Sequence, residues 1–100
     1  MKLNSKDIKH YTKTIPGIIR NEIYEYEDMK YIERFDDVSN ERLYATVTMY
    51  DGVNVCVVYN DGKIALEFPT DWVTNKQDMQ RLLSDMNRLD EFLSCMCKNY

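Results

Sequence analysis

Residues 42–68 read RLYATVTMYDGVNVCVVYNDGKIALEF, and this stretch decides the fold. It contains two turn signals, Asp-Gly at 51–52 and Asn-Asp-Gly at 60–62, each flanked by β-branched and aromatic residues in alternation. Such spacing is typical of antiparallel hairpins. The stretch therefore predicts a three-stranded meander over about residues 42–50, 53–59 and 63–68.

The register follows from the requirement that one face of the sheet be apolar. A two-residue turn at 51–52 pairs Tyr50 with Val53, and a bulged turn at 60–62 sets Ile64 opposite Val58. The face that we expect to form the core then carries Leu43, Ala45, Val47, Met49, Cys56, Val58, Ile64, Leu66 and Phe68. The other face, which is half polar, carries Tyr44, Thr46, Thr48, Tyr50, Val53, Val55, Val57, Tyr59, Lys63 and Glu67.

A long amphipathic helix is predicted from about residue 75 to 98, after Pro69 ends the third strand. Thr74 and Gln77 form a capping-box pattern at its start. Apolar residues then recur at helical spacing and form one stripe: Met79, Leu82, Leu83, Met86, Leu89, Leu93, Met96 and Cys97. At about 36 Å this helix should cross the sheet diagonally or overhang it. An overhanging end with Leu93, Met96 and Cys97 would contact a partner, or a second copy in a homodimer.

The first forty residues are open to more than one interpretation. Ser5 can cap a short basic helix through about Thr14, which the Pro-Gly pair at 16–17 would end. Residues 18–35 fit either a helix or two strands. Their aromatic and β-branched residues favour strands at about 19–26 and 30–35, whereas their many Glu residues favour the helix.

These elements predict a single α+β domain over residues 1–100. It would contain a short N-terminal helix, an antiparallel β-meander of three to five strands and a long C-terminal amphipathic helix packed on the sheet. The chain has 100 residues and is 44% hydrophobic, which suffices for an ordinary core. Its longest unbroken apolar run, 55–59, is far shorter than the roughly 20 residues that cross a bilayer, so no membrane association is expected.

The cysteines and the first residues indicate a cytoplasmic protein. Cys56, Cys95 and Cys97 are odd in number and have no repeated spacing, which suits a reducing compartment better than a disulfide framework. The basic start of the chain is not followed by an apolar stretch, so no secretory signal is expected.

No motif for catalysis or metal binding is found in the sequence. His10 is the single histidine, and Cys95 and Cys97 lie about 200° apart around a helix, so they cannot share one metal ion. An EF-hand loop starting at Asp36 would need Gly at position 41 and Glu at position 47, where the chain has Glu and Val. The three glycines all lie in turn signals, which leaves none for a phosphate-binding loop. We therefore expect neither an enzyme nor a cofactor.

Charge is distributed unevenly along the chain, although its net value is only −4. Residues 1–20 contain five basic residues and one acidic residue, a sum of +4. Residues 22–41 contain eight acidic and two basic residues, a sum of −6. One interpretation is that the two segments form ordinary ion pairs within the molecule, which are common and weak.

The functional interpretation is that the acidic segment docks on a protein partner with a basic surface. Carboxylates would steer the encounter and tyrosines would anchor it. The residues expected to bind are Glu22, Tyr24, Glu25, Tyr26, Glu27, Asp28, Tyr31, Glu33, Asp36 and Asp37. Such a protein would be a non-catalytic inhibitor or regulator of a larger protein. Compact acidic domains of this kind are frequent among phage and mobile-element accessory proteins, an analogy of size and charge alone.

A rival hypothesis is direct binding of nucleic acid. It would use the basic N-terminal residues Lys2, Lys6, Lys9, His10 and Lys13, or the tyrosines Tyr44 and Tyr59, which the predicted register places opposite each other on the outer sheet face. The acidic total argues against it. So does the expectation that Lys63 is the one basic residue on that face.

Overall fold

The computed structural model of the chain describes residues 3–97. Six strands form one antiparallel sheet in sequence order, and an α-helix packs on it. The strands are β1 (Lys9–Ile15), β2 (Ile19–Tyr26), β3 (Met29–Asp36), β4 (Arg42–Met49), β5 (Val53–Tyr59) and β6 (Ile64–Leu66). The helix, α1, spans Lys76–Met96, and short 3₁₀ turns lie at Ser5–Asp7 and Thr70–Val73.

The α+β class is confirmed, with six strands in place of three to five. Residues 18–35 form strands, as favoured, and β2 and β3 match the predicted ranges within one residue. In the β2–β3 hairpin Ile23 lies opposite Ile32 and Tyr24 lies opposite Tyr31. Cross-strand pairs of apolar and aromatic side chains stabilise a sheet, and here they outweigh the weak strand propensity of the glutamates.

The predicted N-terminal helix through Thr14 is wrong. Only residues 5–7 form a 3₁₀ turn, and its cap is Asn4, whose Oδ1 accepts a hydrogen bond from the Lys6 N–H at 3.0 Å, instead of Ser5. The chain then enters β1, which pairs with β2 along all seven of its residues. β1 is an edge strand with a single partly buried residue, Tyr11, so it lacks the apolar alternation that identifies strands in a sequence.

The β4–β5 turn is longer than predicted, and a bulge compensates for it. Three residues, 50–52, have positive φ, so Met49 instead of Tyr50 pairs with Val53. The pairing shifts between Val47 and Thr48 and leaves Val55 as an extra residue in β5, which restores the predicted pair of Val47 with Cys56. A bulge redirects the side chains next to it. Val55, expected on the half-polar face, is accordingly buried in the core.

The second hairpin has the predicted register, with Val58 opposite Ile64 and Cys56 opposite Leu66. Three residues assigned to the core face are nevertheless exposed: Leu43, Leu66 and Phe68. Leu43 is an extra residue at a shift in the β3–β4 pairing, Leu66 ends the edge strand β6, and Phe68 lies beyond that strand. Each therefore lies at a bulge or at the border of the sheet, where the helix does not cover it.

Helix α1 begins one residue later than the capping-box pattern indicates. Asn75 is the cap: its Oδ1 accepts hydrogen bonds from the N–H groups of Gln77 and Asp78, at 3.1 and 3.2 Å. The Thr74 hydroxyl instead donates to the Asp71 carbonyl at 3.0 Å. The predicted last residue, Lys98, lies outside the described residues. With 21 residues the helix is about 31 Å long.

The buried face of α1 differs from the predicted stripe at two positions. Phe92, left out of the stripe, is completely buried, whereas Leu83, included in it, is 64% exposed. Leu93 is also buried, and Met96 and Cys97 pack against the core, so of the two predicted alternatives the overhanging end is wrong.

The core lies between α1 and strands β3, β4 and β5. Strand residues in it include Met29, Ala45, Val47 and Met49, and Trp72 in the second 3₁₀ turn closes one side. Within residues 3–97 no second helix or strand packs on the opposite face of the sheet. We call that uncovered face the open face.

Substitutions on α1 test the orientation of the helix. We expect Phe92→Ala to lower the free energy of unfolding by about 3–5 kcal/mol, because it leaves a cavity in the core. Leu83→Ala should change it by less than about 0.5 kcal/mol, because the side chain is in solvent. Urea denaturation followed by Trp72 fluorescence measures both. Equal losses for the two variants would contradict the orientation described above.

Candidate functional site

The ten residues expected to bind a partner do not share one surface. Strand alternation places them in four locations. Glu22, Tyr24, Tyr26, Tyr31 and Glu33 lie on the face that α1 packs on, Glu25 on the open face, Glu27 and Asp28 in the β2–β3 turn, and Asp36 and Asp37 where β3 leads into β4. Each location has its own set of contacts.

On the helix side, the carboxylates of β2 and β3 are held by groups of the same chain. Glu22 accepts hydrogen bonds from His10 Nε2 at 3.2 Å and Thr12 Oγ1 at 2.5 Å. Glu33, directly opposite Glu22, lies 3.2 Å from Arg42 Nε. The two like charges are therefore each compensated by neighbouring groups.

The tyrosines of this face are half-buried or buried. The Tyr24 ring stacks on the His10 ring with centroids 4.3 Å apart, and burial, followed by the nearby Glu33 and Glu22 carboxylates, raises the pKa of Tyr24. Tyr31 is 3% exposed, and burial raises its pKa far above the ordinary value. Neither tyrosine presents a free anchor to a partner.

The β2–β3 turn is bound to the helix by Arg88. Its guanidinium lies 3.5 Å from Glu27, 2.5 Å from Asp28 and 3.4 Å from Asp85. The hydrogen bond with Asp28 is the main reason that the pKa of Arg88 is raised. Since three carboxylates share one cation, this cluster attaches the turn to α1.

Two loops meet at one end of the sheet, and we call residues 15–18 and 36–41 together the loop tip. The Asp37 carboxylate accepts a hydrogen bond from the Gly17 N–H at 2.8 Å, and the Asp37 N–H donates to the Ile18 carbonyl at 3.3 Å. Three β-branched apolar side chains are in solvent here: Ile15 is 53% exposed, Ile18 66% and Val38 80%.

The loop tip also carries negative charge. Asp36 Oδ1 accepts hydrogen bonds from the Ser39 and Val38 N–H groups, at 2.9 and 2.8 Å, and these bonds lower the pKa of Asp36. Within residues 3–97 none of the carboxylates of Asp36, Asp37 and Glu41 forms an ion pair with a basic side chain. Exposed apolar groups thus occur at this end together with carboxylates that form no ion pair with a basic side chain.

The open face is basic, contrary to the expectation that Lys63 is the one cation there. Because residues 9–15 form a strand, Lys9, Tyr11 and Lys13 lie on one face, at alternate positions. The register brings Lys30 and Arg34 of β3 onto the same face. The carboxylates there are Glu25, which contacts Tyr11 and Lys30, and Glu67, which accepts a hydrogen bond from Asn54 at 2.8 Å. Asp36, the last residue of β3, lies on the same face, two residues beyond Arg34.

Three of these cations form no ion pair among the described residues: Lys9, Lys13 and Arg34. Lys9 lies directly opposite Glu25, the carboxylate that contacts Lys30. Lys9 and Lys13 lie 5.5 and 5.8 Å from the centre of the Tyr11 ring. Arg34 lies 5.2 Å from the centre of the Tyr44 ring and donates to Thr46 Oγ1 at 2.7 Å. The Tyr11 hydroxyl, in turn, donates to Glu25 at 2.7 Å, which lowers the pKa of that carboxyl.

The sequence pattern missed both the loop tip and the cations of the open face. Ile15 and Ile18 flank the Pro-Gly pair at 16–17, so apolar residues beside a turn signal could have indicated the tip. The cations of β1 could not be assigned to a face while that segment was predicted as a helix.

Two of the three thiols are partly or fully buried and weakly acidic. Burial raises the pKa of the Cys56 thiol to about 12, and burial also raises the pKa of Cys97. A cleft of about 370 Å³ lies beside Cys97, where the Arg42 guanidinium donates to the Tyr31 hydroxyl at 3.1 Å. In the part of the chain that the structure describes, no three His, Cys, Asp or Glu side chains are grouped so that they could hold a metal ion.

The chain matches no protein-family model, no curated protein and no solved structure. No helix within residues 3–97 is both long enough and apolar enough to span a membrane.

The three thiols should differ in reactivity toward a disulfide reagent. At about pH 8 we expect Cys95, which is exposed, to react fast in the native protein, and Cys56 to react only after unfolding, because its raised pKa leaves almost no thiolate. Cys95→Ser should remove the fast phase. Absorbance at stopped-flow resolution, with and without denaturant, provides the measurement. Fast labelling of Cys56 in the folded protein would contradict the burial.

Proposed function

We propose that the protein is a non-catalytic interaction module that docks its loop tip on a basic surface of a larger protein. One observation carries the proposal: two hydrogen-bonded loops bring together three exposed β-branched side chains and three carboxylates that form no ion pair in residues 3–97.

The apolar part supplies the contact energy. Contiguous exposed apolar groups on a small protein mark interaction surfaces, whereas single ones need no explanation. Burying an exposed Ile or Val side chain contributes about 1.5–3 kcal/mol. Complete burial of Ile15, Ile18 and Val38 would contribute roughly 4.5–9 kcal/mol. The costs of association consume most of that, so a stable complex also needs polar and charged contacts around the tip.

The carboxylates of the loop tip would steer the encounter with a partner. Asp36, Asp37 and Glu41 would accelerate the encounter with a basic surface and disfavour acidic ones. The proposal keeps the acidic docking surface predicted from the sequence and concentrates it at its Asp36 and Asp37 end. Glu22, Glu33 and the residues around Arg88 contribute less, because groups of the same chain already compensate their charge.

Inhibition is one form that this function can take. A partner surface that is basic because it holds phosphates would be blocked by the bound tip. This is how an inhibitor carried by a phage or mobile element would act on a nuclease.

The test is affinity capture with matched variants. We expect Ile18→Ser with Val38→Ser to reduce the amount of captured partner by about tenfold or more, because each substitution removes an apolar contact. Val73→Ser is the control, since Val73 is 75% exposed in the second 3₁₀ turn, away from the tip. Bound proteins are quantified by mass spectrometry, and thermal midpoints verify that all variants fold.

Charge is tested in the same way. Asp36→Asn with Glu41→Gln should weaken capture at low salt and have little effect at high salt, where screening already removes the attraction. Equal recovery of one partner by wild type and both tip variants would overturn the proposal.

A further inference from the structure

We propose that the open face binds single-stranded nucleic acid along one row of side chains that crosses five strands. The row is Lys13, Asn21, Arg34, Tyr44 and Tyr59, in the order β1 to β5. This face is opposite α1. Lys13 and Arg34 lie two residues from Ile15 and Asp36 of the loop tip, but the row shares no residue with the tip, so the inference does not rest on the protein-docking function proposed above.

The positive charge of the open face favours binding of a polyanion. Lys9, Lys13 and Arg34 are the cations of the open face that form no ion pair in residues 3–97, although Lys9 lies opposite Glu25. On the helix side, by contrast, Arg20, Arg42 and Arg88 each lie within 4.0 Å of a carboxylate. Positive charge that is available to phosphates is therefore concentrated on the open face, although the protein as a whole is acidic.

The aromatic residues of the row fit bases. Tyr44 and Tyr59 lie directly opposite each other on β4 and β5 and are 38% and 45% exposed. Stacking of bases on aromatic rings is the usual source of affinity for single strands, and this affinity depends little on the base sequence. Arg34, 5.2 Å from the centre of the Tyr44 ring, brings a cation to the stacking position itself.

The shape of the face favours an unpaired strand. The floor beside the row contains Ile23, Ile32, Thr46 and Val57, side chains that are buried or half-buried and project little. The row spans four strand spacings, about 19 Å, which accommodates several nucleotides. A duplex hides the faces of its bases, so rings on an open sheet select strands whose bases can be turned outward.

Fluorescence anisotropy with labelled oligothymidine and oligouridine of about 15 nucleotides tests the inference. We expect saturable binding to the full chain at low salt. If Lys9, Lys13 and Arg34 each contact a phosphate, a plot of the logarithm of the association constant against the logarithm of the salt concentration should have a slope of about −2.1.

Two pairs of substitutions separate the contributions of charge and stacking. Lys9→Gln with Lys13→Gln should reduce the slope to about −0.7, whereas Lys6→Gln with Lys76→Gln, which removes two exposed lysines elsewhere, should leave it unchanged. Tyr44→Ser with Tyr59→Ser should weaken binding by at least about tenfold, and Tyr44→Phe with Tyr59→Phe should retain it, because the ring is what stacks. Thermal unfolding verifies that each variant is folded.

Several results would overturn the proposal. One is the absence of binding at low salt, and another is equal binding of a duplex of the same length. Binding that persists in the serine variants, and that heparin removes as readily as an oligonucleotide does, would point instead to an acidic protein as the ligand of this face. The apolar variant of the loop tip, Ile18→Ser with Val38→Ser, should bind the oligonucleotides as the wild type does, so failure here and failure of the docking proposal are distinguishable.

Discussion

One helix cannot cover a six-stranded sheet, and most other features of this protein depend on that mismatch. Six strands span about 24 Å from first to last, whereas a helix with its side chains is about 10 Å wide. Helix α1 therefore covers β3 to β5, where Met29, Ala45, Val47 and Met49 are buried. The helix-side surface of β1 and β2 is left to polar groups such as His10, Thr12 and Glu22, which bond to one another.

The open face is the second consequence of the same mismatch. No helix or strand of the described residues covers this face, so only a narrow row of apolar side chains on it is shielded from solvent. Ile23, Thr46 and Val57 are less than 10% exposed because longer side chains such as Tyr11, Arg34 and Tyr44 lie around them. Long side chains that shield a neighbour must themselves be amphipathic, and lysine, arginine and tyrosine meet that requirement. A face built in this way is rich in the groups that contact phosphates and bases.

Much of the fold could be predicted from local patterns, and the failures have identifiable causes. The pairs of Ala45 with Val58 and of Val58 with Ile64 follow from the requirement for an apolar face, and the strands at 19–26 and 30–35 follow from β propensity. The bulge at Val55 could not be predicted, since it depends on a turn whose three residues adopt positive φ. β1 was missed because an edge strand with Lys on one side and Thr on the other gives no alternation of hydrophobicity. That error also concealed the candidate binding face, because only in a strand do Lys9, Tyr11 and Lys13 lie together.

The order of the strands and the helix along the chain constrains the order in which they can fold during synthesis. Every strand pairs with its immediate predecessor, so each hairpin can close over a short loop as soon as both of its strands have left the ribosome. The helix that covers their apolar side follows the whole sheet. A sheet with one bare apolar face is marginal in water. We therefore expect the first seventy residues to expose apolar side chains to solvent during synthesis, until α1 follows and covers them.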